Sequence, residues 1–291
     1  MKKDEIFLRD PYVLVHENKY YMYGTRSETA WNKQEDVSKL GFDVYISDDL
    51  ENWSEPIEVF RHPGDFWSNM NFWAPEVHVY QDKFYLFATF NAEGKNKGTQ
   101  ILVADHPEGP FRIHTEEPLT PREWPCLDGT LYVDEAGTPY MIFCHEWIDG
   151  GKGTICSIEL SSDLKEAVSE PNVLLHAIDV KWHHPDTERF VTDGPFMYTT
   201  TSGKLLMMWS SLRGDQYVQA IAESESGTIE GPWIHQEDLF YHADGGHGML
   251  FKDKENRLVY TYHSPNSKYS EHPHFYEVQD TGDTLLLKEE M

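Results

Sequence analysis

A five-bladed β-propeller is the fold this sequence predicts. Three observations predict it: a hairpin pattern that occurs five times, a further strand signal after each hairpin, and the lack of any helical periodicity long enough to compete. The first hairpin is "RDPYVLVHENKYYMYGT" from Arg9, where alternating apolar residues run into an Asn-containing turn and a second, aromatic strand. It recurs as "WAPEVHVYQDKFYLFATFN" from Trp73, "CLDGTLYVDEAGTPYMIFCHEW" from Cys126, "TDGPFMYTTTSGKLLMMWSS" from Thr192 and "GGHGMLFKDKENRLVYTYHS" from Gly245. Third strands are read in "FDVYIS", "TQILVA", "TICSIEL", "YVQAIAES" and "HFYEVQD". Intervals of about 53 to 66 residues suit a four-stranded blade with insertions, and a β-sandwich would not explain why the five openings resemble one another. Residues 1–291 are assigned to one propeller domain.

Composition narrows the partners. Fifty acidic residues against 24 basic ones give a net charge of −26, which repels nucleic-acid phosphates and anionic lipid headgroups. No stretch approaches the length of a membrane span, and "MKKDEIFLRDP" has no apolar segment of the kind that marks an export signal. Cys126, Cys144 and Cys156 are odd in number and match no zinc or redox spacing. A cytoplasmic location is the expectation, although a secreted chain trimmed of its signal would read the same. The sequence leaves the oligomeric state open.

In a propeller the innermost strand of each blade lines the central channel, so residues that open those strands gather at one mouth. Asp10, Glu76, Asp128, Asp193 and His247 fall at or near that position, and Asp10, Asp128 and Asp193 are read as three equivalent carboxylates on one mouth. The second strands end at the same mouth and add Thr25, Asn91, Glu146 with Trp147, Ser210 and His263. Carboxyl groups meeting in a concave aromatic site are what glycosidic bond cleavage needs, because one acid must stay protonated while another stays ionised.

The ordered set "RDPYVLVHENKYYMYGT", "WAPEV", "LDGTLYVDEAGTPYMIF", "TDGPF" with "KLLMMWSS", and "GGHGMLF" with "YTYH" resembles glycoside hydrolase family 43 over nearly the whole chain. The resemblance implies a five-bladed propeller that hydrolyses α-L-arabinofuranosides, β-D-xylosides or some galactosides with inversion. It implies that Asp10 is the general base and that Asp128 orients the acid and raises its pKa. One position departs from the pattern. The family's acid is a Glu before Gly-Pro, whereas this chain has Asp193, shorter by one methylene. Either Asp193 donates the proton or Glu146 does, and the loss of catalysis in a sugar-binding propeller is the alternative from another class.

His247 matches a family His on the channel axis that, the resemblance implies, helps hold a Ca²⁺ ion through water; no other cofactor is expected. Phe72, Trp73 and Trp147, with Trp31 and Trp67, are candidate sugar-stacking residues, since the C–H face of a sugar packs well on an aromatic ring. Arg213 is a candidate for bonding sugar hydroxyls. Trp53 and Trp233 read as blade-packing residues. "KWHHPD" from Lys181 and "EHPHFYE" from Glu271 lack zinc spacing and read as loops. The expected activity is exo-acting, inverting release of a terminal sugar from short plant-derived oligosaccharides, with α-L-arabinofuranose first and β-D-xylose or galactofuranose as alternatives within the class. The insertion "RSETAWNKQEDVSKLG" would narrow the pocket toward exo-action.

Overall fold

The computed structural model describes residues 1–31, 33–183 and 186–291. Its strands form five four-stranded antiparallel sheets, each in simple up-and-down order. Blade 1 holds β1 (Leu8–His16), β2 (Lys19–Arg26), β3 (Gly41–Ser47) and β4 (Ile57–Arg61). Blade 2 holds β5 (Met70–Tyr80), β6 (Lys83–Asn91), β7 (Gly98–Ala104) and β8 (Arg112–Ile113). Blade 3 holds β9 (Cys126–Val133), β10 (Pro139–His145), β11 (Thr154–Glu159) and β12 (Asn172–His176). Blade 4 holds β13 (Asp193–Thr199), β14 (Leu205–Arg213), β15 (Gln216–Ser224) and β16 (Trp233–His235). Blade 5 holds β17 (Gly246–Lys252), β18 (Leu258–Ser264), β19 (His272–Asp280) and β20 (Leu285–Glu290). The predicted five-bladed propeller is therefore the fold observed.

Blades pack face to face, so their second strands are covered on both sides. That is why β6, "KFYLFATFN", reads as a nearly continuous apolar run, with every residue between its ends buried. The outermost β8 is exposed. The core accordingly lies between blades. Phe42, Phe60, Phe66, Phe72 and Phe90 interlock between blades 1 and 2, and Trp53 stacks on Phe275 at 6.1 Å between blades 1 and 5. Trp53 and Trp233 are both buried, as blade-packing residues should be. The segment read as a loop at "EHPHFYE" is largely strand: His272 opens β19, with its Nδ1 on the Ile6 carbonyl at 2.9 Å. Alternate residues of that segment are buried, which a loop does not require.

Each innermost strand carries a one-residue bulge at the channel mouth. The pairing slips between Arg9 and Tyr12, Trp73 and Glu76, Leu127 and Thr130, Asp193 and Phe196, and Gly246 and Met249. In each slip one residue takes left-handed backbone angles: Asp10 (φ 52°), Ala74 (44°), Asp128 (54°), Gly194 (48°) and His247 (51°). Asp and His tolerate that region better than most side chains, and such bulges redirect a strand near functional sites. The carboxylates are therefore not three equivalents. Asp10 and Asp128 are bulge residues, whereas Asp193 stands one place earlier, level with Arg9, Trp73, Leu127 and Gly246. Glu76 is also displaced, two residues beyond the blade 2 bulge, where its carboxylate meets His78 Nε2 at 3.0 Å.

The bulge also exposes one backbone N–H per blade, and the neighbouring blade accepts it. Ala74 donates to Thr25 Oγ1 (2.7 Å), Asp128 to Thr89 Oγ1 (2.8 Å), His247 to Ser210 Oγ (2.7 Å) and Asp10 to His263 Nδ1 (3.2 Å). Gly194 differs and donates to the Asp128 carboxylate at 3.1 Å.

The ring closes between blades 5 and 1 without a shared sheet. Arg9 Nη1 bonds Glu271 Oε1 at 2.8 Å and Asn266 Oδ1 at 2.9 Å, and the Leu8 N–H bonds the Glu271 carbonyl at 3.0 Å. The Glu271 side chain is fully buried. Removing one partner of a buried ion pair strands the other charge, so Glu271→Ala should lower the unfolding free energy by about 3–5 kcal/mol in urea titrations. A loss below about 1 kcal/mol, the worth of an exposed pair, would remove this contact from the closure.

Candidate functional site

At the channel mouth lies a cavity of about 170 Å³ lined by Arg9, Asp10, Trp31, Trp73, Leu127, Asp128, Glu146, Trp147, Val191, Asp193 and His247. Four of the five carboxyl residues that the sequence places at the mouth, all but Glu76, are there, with His247, Trp73 and Trp147. The bulges bring them in: β1 supplies Arg9 and Asp10, β9 Asp128, β13 Asp193 and β17 His247.

Asp10 sits deepest in positive surroundings. Its Oδ1 lies 3.2 Å from His247 Nδ1 and 3.5 Å from His263 Nδ1, and its Oδ2 accepts from the Thr25 hydroxyl at 2.6 Å. Burial alone pushes this carboxyl up, but His247, Arg9, His263 and Thr25 together hold it down at about 2. His263 is itself neutral. Burial and the Arg9 charge lower its pKa to about 3. Its Nδ1 accepts the Asp10 N–H, which places the ring proton on Nε2, 3.3 Å from Asn266 Oδ1.

The other two aspartates are shifted the opposite way. Burial, the negative Asp10 and Glu76 raise Asp128 well above the usual carboxylate range, against the pull of the Gly194 N–H and Lys97. Asp193 is raised to about 7 by burial, Asp128 and Glu146, against His247 and the Tyr217 hydroxyl, which donates to its Oδ2 at 3.0 Å. One pocket thus holds an ionised carboxylate and a carboxyl that keeps its proton to near-neutral pH. That split is what acid–base cleavage of a glycosidic bond uses.

Glu146 lies just past β10, where Lys97 Nζ meets its Oε2 at 2.7 Å. Lys97 also lies 5.0 Å from the Trp73 ring centre. Trp73 donates its indole N–H to the Ala30 carbonyl at 2.6 Å and tilts against Trp31 at 6.1 Å. Trp31 is flanked by Arg9 at 4.6 Å and Lys268 at 4.5 Å, and Arg189 lies 5.9 Å from the Trp147 ring. Three tryptophans from three blades therefore wall the pocket, each held by a cation.

Three predicted contacts lie elsewhere. Phe72 is 2% exposed and packs edge-on against Phe90 at 4.8 Å, because strand alternation turns it to the face opposite Trp73. Arg213 is outside the pocket: β14 runs on past the mouth, pairing Arg213 with Gln216, and delivers it to a surface hollow with Trp182, Glu237, Asp238 and His242. Trp67 bonds Gln100 Oε1 at 2.6 Å away from the site. Arg9 was missed as a site residue, although its place beside Asp10 in "RDP" was the available signal. Tyr217 and Lys97 gave none, since each reaches the site from the third strand or the loop before it.

The expected calcium, an ion that His247 would reach through water, finds few direct protein ligands. Ca²⁺ takes six to eight oxygen ligands, and among the described residues no group of three or more His, Cys, Asp or Glu is arranged to hold a metal. His247 Nδ1 faces Asp10, and its ring lies so close over Gly194 that a Cβ there would come within 2.6 Å of Cδ2. In the "KWHHPD" segment, His183 Nε2 meets the Ala177 carbonyl at 2.9 Å, and His184 lies outside the described residues.

A five-bladed propeller with a carboxyl-lined pocket at one channel mouth defines a class in which glycosidases are prominent. The model of Glycosyl hydrolases family 43 matches residues 5–285, and the chain belongs to that family. An endo-arabinase structure from Bacteroides thetaiotaomicron VPI-5482 is 37% identical, with a TM-score of 0.86 and 96% of each chain covered. Xylosidase/arabinosidase 43A of Humicola insolens is 29% identical over 151 residues, 49% of this chain and 45% of that protein. An arabinoxylan arabinofuranohydrolase of Bacillus subtilis (strain 168) is 25% identical over 214 residues, 65% of this chain and 36% of that protein. The chain thus matches under half the length of these two curated relatives.

Placing Phe72 in the core predicts that Phe72→Ala loses about 3–5 kcal/mol of stability while the folded variant keeps the wild-type KM. Trp73→Ala should do the reverse, raising KM with a small change in urea midpoint. Steady-state kinetics and urea titration of both variants check the assignment.

Proposed function

We propose that the protein is an inverting, exo-acting glycoside hydrolase that releases terminal α-L-arabinofuranose from short oligosaccharides. The observation that carries the reading is the opposed ionisation of two carboxyls in one pocket: Asp10 held at about 2 and Asp193 raised to about 7. Asp10 takes a proton from the attacking water. Asp193 gives one to the leaving oxygen. Asp128, bound to the amide next to Asp193, orients the acid and raises its pKa. Glu146, engaged by Lys97, contacts the sugar rather than donating the proton. The tryptophans offer stacking faces, and the small walled cavity suits one sugar unit better than a continuous chain.

Arabinose is favoured because all three relatives described above are named as arabinose-releasing or arabinan-cleaving enzymes. A second reading, internal cleavage of arabinan, is favoured by the 37% identical endo-arabinase. Kinetics on aryl α-L-arabinofuranoside, β-D-xyloside and β-D-galactofuranoside, with product sizing on linear arabinan, separates the readings. Arabinose alone from the first minutes supports exo-action. A ladder of oligomers supports the second reading, and no turnover on any of them removes both. Proton NMR of the first product should show the inverted anomer.

The pH profile follows from the signs of the two shifts. Activity needs Asp10 ionised and Asp193 protonated, so kcat/KM should rise as pH climbs through about 2 and fall as it passes about 7. The lower limb will be cut short where acid unfolds the protein. Asp10→Asn should cost about 10²-fold or more in kcat with an unchanged melting temperature. Asp193→Asn should cost most on substrates with poor leaving groups and should remove the limb near 7. If Glu146→Gln removes that limb instead, the proton donor is Glu146.

A further inference from the structure

Four of the five bulge amides are accepted by a side chain at one fixed place on the preceding blade's second strand. Thr25, Thr89, Ser210 and His263 pair in register with Arg9, Trp73, Asp193 and Gly246, the residues just before the bulges. Blade 3 has Cys144 there, in register with Leu127. The Cys144 side chain is buried, its thiol meets the Thr192 side chain, and the next blade's Gly194 amide goes to Asp128 Oδ2 at 3.1 Å instead. Blade 1 shows what a hydroxyl does at this place. Thr25 Oγ1 accepts the Ala74 N–H at 2.7 Å and donates to the Asp10 carboxylate at 2.6 Å, standing between that carboxylate and the next blade.

We propose that Cys144 is a positioning residue: by offering no hydroxyl to the Gly194 amide, it leaves that amide to Asp128 and so holds the Asp128 carboxyl directly against blade 4, next to Asp193. A thiol is a weak acceptor and a weak donor, so it does not compete with a carboxylate for an amide N–H. Two otherwise alike bulge aspartates thereby differ. Asp10 is insulated from the next blade by Thr25, and Asp128 is coupled to it. The inference rests on reading Asp193 as the proton donor.

Asp128 is faced by Asp10 from β1, Glu76 from β5, Lys97 from the loop before β7, the Gly194 amide from β13 and His247 from β17, whose Nδ1 lies 3.8 Å from Asp128 Oδ2. Asp193 is faced by Asp128 from β9, His247 from β17, Glu146 from beyond β10 and Tyr217 from β15. Only the Asp128 contribution passes through the Gly194 amide.

Cys144→Ser places at this position the hydroxyl that blade 4 already carries as Ser210. It should take the Gly194 N–H and donate to Asp128, as Thr25 does for Asp10, drawing the carboxyl back from Asp193. The Asp128 charge is one of the causes that raise Asp193, and the two neighbouring carboxyls titrate as a coupled pair, so separating them should let the pair lose its proton sooner, moving the alkaline limb of kcat/KM down by about half a unit to one unit. Cys144→Ala removes the sulfur but offers no acceptor, so its limb should stay at the wild-type pH whatever happens to its rate. A limb in Cys144→Ser that stays or rises overturns the proposal. So does an equal shift in Cys144→Ala, which would mean packing rather than hydrogen bonding. Carboxyl-carbon NMR titration of ¹³C-aspartate-labelled protein reads the same Asp193 shift without turnover, with Asp193→Asn identifying the resonance. If the resonance moves in Cys144→Ser while no variant hydrolyses any substrate, the positioning role stands and the hydrolase reading falls; if it does not move, the positioning role falls.

Discussion

The active mouth of this propeller depends on the left-handed bulge in each innermost strand. Without it, the amide one residue past the pairing would point into its own sheet, and no donor would be left for the neighbouring blade. With it, each blade carries one N–H that its neighbour must accept, because an unpaired amide in a buried channel costs about 1–3 kcal/mol. Five such bonds link the blades around the channel. The bulge that joins blades also aims side chains, so Asp10, Asp128 and His247 enter the pocket from the positions that hold the ring together.

The electrostatic split follows from where those side chains land. Asp10 gathers the cationic and donor groups: Arg9 beside it in sequence, His247 across the channel and the Thr25 hydroxyl. Asp193 receives two carboxylate neighbours and one tyrosine hydroxyl. Both are buried, so burial cannot tell them apart, and the sign of the neighbours decides. A net charge of −26 contributes little to this, because surface charges are screened within about 8–10 Å in ordinary salt.

Much of this was legible in the chain. The five hairpins were, because alternating apolar runs and Asn, Asp or Gly turns act locally. The convergence of Asp10, Asp128, Asp193, Glu146, Trp73, Trp147 and His247 followed from the repeat, since a propeller places equivalent residues on one circle. What periodicity does not carry is an offset of one residue. It hid that Asp193 precedes its bulge while Asp128 occupies one, and it put Phe72 beside Trp73 as a pocket residue when strand alternation sends the two to opposite faces. Arg213 failed for a related reason, as nothing local reveals that β14 runs beyond the mouth. Tyr217 reaches Asp193 across the strands of its own blade and Lys97 reaches Glu146 from the blade before, and neither leaves a trace in sequence order.

Closure by Arg9 and Glu271 ties the first strand to residues 262 positions later. Domains emerge from synthesis N-terminal end first, and contacts this distant form late. Until the last blade docks, Asp10 lacks His247 and His263, and Arg9 lacks its carboxylate partner. The nascent protein therefore carries an ordinary, solvated aspartate where the finished one carries a buried carboxylate held at about 2. The split between the two carboxyls is in this sense a report on the completed circle: four blades, however well formed, hold the neighbours that raise Asp193 but not the two histidines that hold Asp10 down.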